Sequence, residues 1–298
     1  MGIEIDSLIK RYDGKVVLDG IELHINEPGV YLIAGPNGCG KTTLLEILVG
    51  LRKYDQGRVK INDQRVDDVE LKRKLGFLTQ QNTLRKNCTV AEELNLVKEI
   101  FKLDIDTYKY LERYKLQEYY HQKTKGLSGG TKRRVLIAML FMTQYEVAVL
   151  DEPVSGLDTF SRDEIWNMIR EYAEENIVVV SDHYLNQAAL YSDYVYLMNK
   201  GKIVLHGKTT QLIKDFKRGY VIKTRVNHLE ELNSILDEKR ALLDLKVSGS
   251  VYNYFVNQED QQTIQKLTNS SQRINVHPVN LEDIYFYYTG EFVKDSGD

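Results

Sequence analysis

"GVYLIAGPNGCGKTTLLEILVGL", residues 29–51, decides the fold. Val30, Tyr31, Leu32 and Ile33 read as a buried strand, and Leu44, Leu45, Ile47, Leu48 and Leu51 recur at helical spacing. Between them "GPNGCGKT" fits G-x-x-x-x-G-K-[ST] with Gly35, Gly40, Lys41 and Thr42. Strand, glycine loop and helix are the context a phosphate-binding loop needs. The glycines let backbone N–H groups approach phosphate, and the first N–H groups of a helix have no partner within it. In this chemistry Lys41 places a point charge on the β and γ oxygens, Thr42 offers its hydroxyl to Mg²⁺, and Thr43 can bond the α-phosphate. Pro36, Asn37, Gly38 and Cys39 complete the loop.

Hydrolysis then needs a second magnesium contact and a group to orient water. "VAVLDEP", residues 147–153, supplies candidates for both at the end of an apolar strand. Asp151 can hold magnesium through water, and Glu152 can accept a proton from the attacking water. "GLSGGTKRRVLIAML", residues 126–140, presents Ser128, Gly129 and Gly130 at the mouth of another helix and so looks like a second phosphate cradle. A chain with a complete phosphate loop has no evident use for two.

Further out, "IEIDSLIK" and "KVVLDGIELHI" read as a hairpin, "IVVVSDH" as a buried strand, and "YVYLMNKGKIVLHG" as a hairpin turning at "NKGK". Residues 82–145 are rich in helical spacing and charge and read as an insertion in an α/β core. Strands alternating with helices favour a mostly parallel sheet covered by helices. After residue 213 the order becomes β-α-β-β-α-β, a ferredoxin-like pattern, with helices expected at "LEELNSILDE" and "EDQQTIQKLTN".

With 298 residues, 28% charged and 42% hydrophobic, the chain has material for two domains. A net charge of -3 gives no general attraction to nucleic acid. Cys39 and Cys88 have no metal-ligand spacing and are expected as free thiols. No apolar stretch approaches the roughly 18 residues that span a bilayer, and the N-terminus lacks a signal core, so neither spanning nor secretion is expected.

Together these motifs resemble the nucleotide-binding subunit of ATP-binding cassette transporters, in motif order over roughly residues 1–210. The "LSGG" between the two phosphate-site motifs, followed by "DEPVSGLD", narrows the likeness to this family. The resemblance implies a phosphate-loop ATPase core at residues 1–212, with an antiparallel N-terminal part and a helical subdomain at about 82–145, and an α+β accessory domain at 213–298. By that similarity residues 35–43 are the Walker A loop and residues 127–130 the signature. Asp151 and Glu152 are the Walker B pair, residues 155–158 the D-loop ending in Asp158, and His183 the switch histidine that contacts the γ-phosphate. Tyr12 matches the aromatic that stacks on adenine. Gln80, with Gln81 as the alternative, matches the glutamine that reaches magnesium and water. Thr131 and Asp182 depart from the residues common beside the signature and the switch.

The implied function is an ATPase that binds ATP and Mg²⁺, dimerises with itself or a homologue around two nucleotides, and works peripherally at the cytoplasmic membrane face with a separate transmembrane permease. The signature of one chain would complete the nucleotide site of the other. The segment after Gln80 would dock on the permease. "VNLEDIYFYYTGE" is similar to the closing segment of export-type ATPases for peptides or drugs, which implies export. The alternative is a soluble ATPase of the same superfamily acting on nucleic acid or ribosomes, which the single signature and acidic charge disfavour.

Overall fold

The structure, a computed structural model, describes residues 2–225, 244–257 and 274–293. Among the described residues the strands form three sheets. The central one has the order β10-β9-β3-β8-β7-β6. It comprises β3 (Gly29–Ala34), β6 (Leu75–Leu78), β7 (Val147–Asp151), β8 (Ile177–Asp182), β9 (Tyr194–Asn199) and β10 (Lys202–Lys208). The first five run parallel and β10 pairs antiparallel with β9. Parallel strands place their C-terminal ends along one edge, where α/β sheets hold their ligands.

Side chains of β3 alternate, Val30, Leu32 and Ala34 entering one core and Tyr31 and Ile33 another on the opposite face. The second core is roofed by an antiparallel sheet of β1 (Ile3–Tyr12), β2 (Lys15–Ile25), β4 (Gln56–Ile61) and β5 (Gln64–Arg65), ordered β2-β1-β4-β5. Helix α1 (Lys41–Leu48) fills the space between, burying Leu44, Leu45, Ile47 and Leu48. The short α2 (Val69–Lys72) follows β5.

The first core is covered by α3 (Val90–Phe101), α4 (Thr107–Glu112), α5 (Gly129–Met142), α6 (Thr159–Ala173) and α7 (Leu185–Tyr191). Thr89 and Glu92 form a capping box at the start of α3, which satisfies two otherwise unpaired backbone donors. Helix α8 (Thr209–Asp215) leads to the third sheet, β11 (Arg218–Arg225), β12 (Asp244–Ser248), β13 (Val251–Asn257) and β14 (Asn275–Pro278), ordered β12-β13-β11-β14 and antiparallel throughout. β11 and β12 therefore point the same way with β13 between them, as in a split β-α-β unit. The two helices expected at 229–238 and 259–269 lie outside the described residues.

Helix α9 (Leu281–Thr289) joins this third sheet to the cassette. Leu281, Ile284, Tyr285 and Phe286 are buried in the same core as Val30 and Leu150, together with Val221 and Phe255 of the third sheet. The Tyr285 hydroxyl donates to Met198 O at 3.4 Å, and Lys200 pairs with Glu291 at 2.9 Å. Among the described residues no helix is long and apolar enough to cross a membrane.

A shared core predicts shared unfolding. Phe286→Ala should lower stability by about 3–5 kcal/mol. Urea unfolding followed by Trp166 fluorescence and by far-UV circular dichroism should give one coincident transition; two separated transitions, or a loss below about 1 kcal/mol, would show that α9 is not part of that core.

Candidate functional site

The glycine loop connects β3 to α1. At Gly40 φ is +110°, and a Cβ there would lie 2.7 Å from Leu18 Cδ2 and 3.0 Å from Val17 O, so a side chain would displace β2. The loop wraps a cavity of about 340 Å³ lined by Asn37, Gly38, Gly40, Lys41, Thr42 and Thr43, with Tyr12, Val17 and Glu152. Tyr12 arrives there because the β1–β2 hairpin turns sharply at residues 13 and 14. Its ring has the Lys10 ammonium 4.9 Å and the Arg52 guanidinium 5.4 Å from its centroid, cation–π distances. Lys41 is buried, and its ammonium donates to Gly35 O at 2.8 Å and Pro36 O at 3.3 Å.

Gly35, Pro36 and Cys39, which belong to the same loop, do not line this cavity. Gly35 packs so closely on Met198 that a Cβ would stand 2.3 Å from Met198 O. The Cys39 side chain is buried in the core beneath α1, and burial pushes its thiol pKa up. Its N–H is already donated to Pro36 O at 3.2 Å. Both cysteines are free.

At the C-terminal ends of β7 and β8 the acids and hydroxyls interlock. Thr42 Oγ1 donates to Asp151 Oδ2 at 2.8 Å, and Ser181 Oγ donates to Asp151 Oδ1 at 2.5 Å while accepting from Glu152 N at 2.9 Å. Glu152 has φ +46°, the left-handed region, which costs a non-glycine residue about 1–3 kcal/mol unless its surroundings fix it. That turn aims the carboxylate over the loop. Glu152 Oε1 is 3.9 Å from Lys41 Nζ and 3.8 Å from His183 Nδ1, and Glu152 Oε2 accepts from Gln80 Nε2 at 3.3 Å. The structure thus gathers Lys41, Gln80, Glu152 and His183 around one point. Gln80 also lies 3.5 Å from Ser155 Oγ.

The charges reinforce one another. His183 lowers the Glu152 pKa, with help from Lys41 and against burial. Glu152 raises that of His183, again against burial. Asp182 is the exception: burial pushes its carboxyl pKa up although its Oδ1 accepts from the His183 and Tyr184 N–H groups at 2.7 and 2.9 Å.

Ser128 sits elsewhere. It caps α5 by accepting from Thr131 N at 3.1 Å, and its hydroxyl meets Thr131 Oγ1 at 2.9 Å. Gly130 is glycine for a reason within this chain, since a Cβ would stand 2.4 Å from Ser161 Oγ on α6. Gly129 is open: a Cβ there would meet Leu157 Cδ2 only at 4.0 Å. Asp158 caps α6 through Ser161 N and Oγ at 3.0 and 2.7 Å. None of Ser128, Gly129, Gly130 and Asp158 lines the loop cavity.

Residues 18–155 match the family described as ABC transporter. A protein of Methanocaldococcus jannaschii named as an ABC transporter ATP-binding protein is 37% identical over 224 residues, 70% of this chain and 80% of that one. The chain belongs to the ABC transporter ATP-binding family. The Nod factor export ATP-binding protein I of Ralstonia nicotianae is 26% identical over 309 residues, covering 98% of this chain and 95% of its own. By contrast the chain spans 4% and 9% of human ATP-binding cassette sub-family A members 13 and 2, which it also matches. A solved ATP-binding cassette of an ABC transporter in its ADP conformation superposes with a TM-score of 0.64 at 27% identity, over 73% of this chain and 96% of that one.

As an ABC ATPase subunit of a transporter, the chain binds ATP with Mg²⁺ and hydrolyses it. Subunits of this family dimerise and work with transmembrane partners. The residues fit both ligands. The cradle is shaped by glycines and ends on a helix N-terminus, and a hydroxyl and a carboxylate from separate segments meet at Thr42 and Asp151. His183 Nδ1 is buried and makes no hydrogen bond among the described residues. Two contributors escaped the sequence reading. Ser181, which positions both acids, shows only as a hydroxyl interrupting an apolar strand. Arg133, buried under the same acids, looks like one more charge in the run "TKRR".

The Glu152–His183 pair fixes a pH window. The folded His183 pKa lies above its ordinary 6.5, so its contribution is complete below that value and is lost as pH rises through the raised pKa. Glu152 lies below its ordinary 4.5, so its contribution holds above that value and is lost as pH falls through the lowered pKa. Histidine NMR should place the His183 midpoint above 6.5, and Glu152→Gln should move it down; a midpoint insensitive to Glu152→Gln would remove the pairing.

Proposed function

We propose that this subunit powers export, and that its nucleotide site is completed by a second chain. The observation that carries the reading is the division of the site residues within one chain. Lys41, Thr42 and Glu152 line the loop cavity, with Asp151 bonded to Thr42 and His183 beside Glu152, whereas Ser128 and Gly129 stand apart, exposed, at the mouth of α5 with Gly130 buried next to them. A second copy, or a homologous ATPase subunit, would bring its Ser128 and Gly130 against the phosphates in Tyr12's cavity, with Gly129 and Asp158 contributing to the same nucleotide site.

In this reading the Lys41 ammonium releases Gly35 O and Pro36 O and donates instead to the β and γ oxygens, keeping its charge beside them. Thr42, Asp151 and Gln80 would hold magnesium, which supplies charge neutralisation on the phosphates when bound. Glu152, kept ionised by His183 and Lys41, accepts the proton of the attacking water, and Gln80 orients that water. His183 contacts the γ-phosphate. ATP stabilises the closed pair and its hydrolysis ends that preference, which shifts the conformational equilibrium.

Export is supported by the relative from Ralstonia nicotianae, whose name is that of an export ATP-binding protein and whose match extends over the C-terminal third of this chain. We propose a peptide or drug-like cargo from the likeness of "VNLEDIYFYYTGE" to the closing segment of such exporters. Residues 1–212 act as the nucleotide-binding domain and 213–298 as an accessory domain that supports the dimer. The place of work is the cytoplasmic membrane face, through a separate permease docked on the segment after Gln80.

Glu152→Gln should keep ATP affinity, lose turnover by at least about 100-fold, and run as a dimer with ATP and Mg²⁺ in light scattering. If it stays monomeric, the site is not completed by a second copy of this chain and a heterodimer is required. Lys41→Ala should weaken nucleotide binding by at least about tenfold by fluorescence titration, and unchanged affinity would remove the loop as the phosphate site. Tagged protein recovered from cells should co-isolate with a multi-span membrane protein, and recovery with ribosomes instead would overturn the transport reading.

A further inference from the structure

Arg133 lies in the first turns of α5, and 8% of its surface is exposed. Its guanidinium donates to three backbone carbonyls: Nε to Pro153 O at 3.0 Å, Nη1 to Thr79 O at 2.9 Å, and Nη2 to Asp151 O at 3.4 Å. None of these partners carries a charge. Burial pushes the guanidinium pKa down to about 10 even with Asp151 nearby, as expected for a cation held by dipoles.

The choice of carbonyls is informative. Two of them, those of Asp151 and Pro153, flank Glu152, whose φ of +46° needs its surroundings to hold it. The third belongs to the residue before Gln80, whose amide reaches the Glu152 carboxylate. A planar fork with five N–H donors can span three peptide groups at once, which the compact ammonium of a lysine cannot.

We propose that Arg133 is a positioning residue for hydrolysis: it clasps the peptides on both sides of Glu152 and before Gln80, so that the two side chains meet over the phosphate loop. Because Arg133 rides on the helix that begins with Ser128, the same clasp ties the helix mouth to the acids. This rests on Glu152 acting as the base.

The test is steady-state ATPase kinetics of the full chain with Arg133→Lys, Arg133→Met, Glu152→Gln and the double variant Glu152→Gln/Arg133→Met. Arg133→Lys should lower kcat about 10-fold and Arg133→Met about 100-fold, with the ATP KM within about 3-fold of wild type, because misplacing a catalytic group leaves ground-state binding intact. Adding Arg133→Met to Glu152→Gln should cost less than about 2-fold more, since both act on one unit. If Arg133→Met does not fold, Arg133→Lys, which keeps the charge, carries the test.

A kcat of Arg133→Lys and Arg133→Met within about 2-fold of wild type, with Glu152→Gln slowed by at least about 100-fold, overturns the Arg133 proposal alone. So does a KM that rises while kcat holds, or an additive double variant. Wild-type turnover by Glu152→Gln removes the base assignment and the Arg133 proposal with it.

Discussion

The carboxylate of Asp151 is where the nucleotide site is pinned together. It accepts one hydroxyl from Thr42, at the start of the helix that follows β3, and another from Ser181, at the end of β8. The strand order β3-β8-β7 and their parallel direction make this possible, since three C-terminal ends then share one edge. An antiparallel neighbour would carry its hydroxyl to the far end of the sheet. Glu152 inherits its place from this arrangement, because Ser181 holds its N–H while the left-handed turn swings its side chain outward.

What could be read in advance follows how local the signal is. The strand, loop and helix around Lys41 are specified by contiguous residues, and so are the apolar strand before Asp151 and the helix that opens at Ser128. The inward direction of Cys39 was not legible, because a loop has no periodicity to say which side chains face the ligand. Arg133 was not legible either. On a surface helix a charge marks the solvent face, but α5 is enclosed on several sides, so Val135, Ile137 and Arg133 are buried together. The strand order of the third sheet depends on pairings between distant segments, which alternation within each strand does not reveal.

The two signature glycines differ in kind. Gly130 is required by contact with Ser161, so any larger residue would push α5 from α6 whether or not nucleotide is bound. Gly129 has no such neighbour among the described residues. The same four-residue motif therefore serves internal packing at one position and leaves a bare backbone surface at the next. Motif identity alone does not separate these roles.

The core that contains Val30 and Leu150 also contains Ile284 and Phe286. During synthesis the chain leaves the ribosome from its N-terminus, so the phosphate loop and both acids emerge long before α9 does. Until α9 arrives, part of the apolar face it covers stays open to water or to a chaperone. The last hydrophobic layer of the catalytic half is laid down by a segment that follows the entire third sheet in sequence, and the time spent translating that sheet is time during which the nascent ATPase is exposed to aggregation.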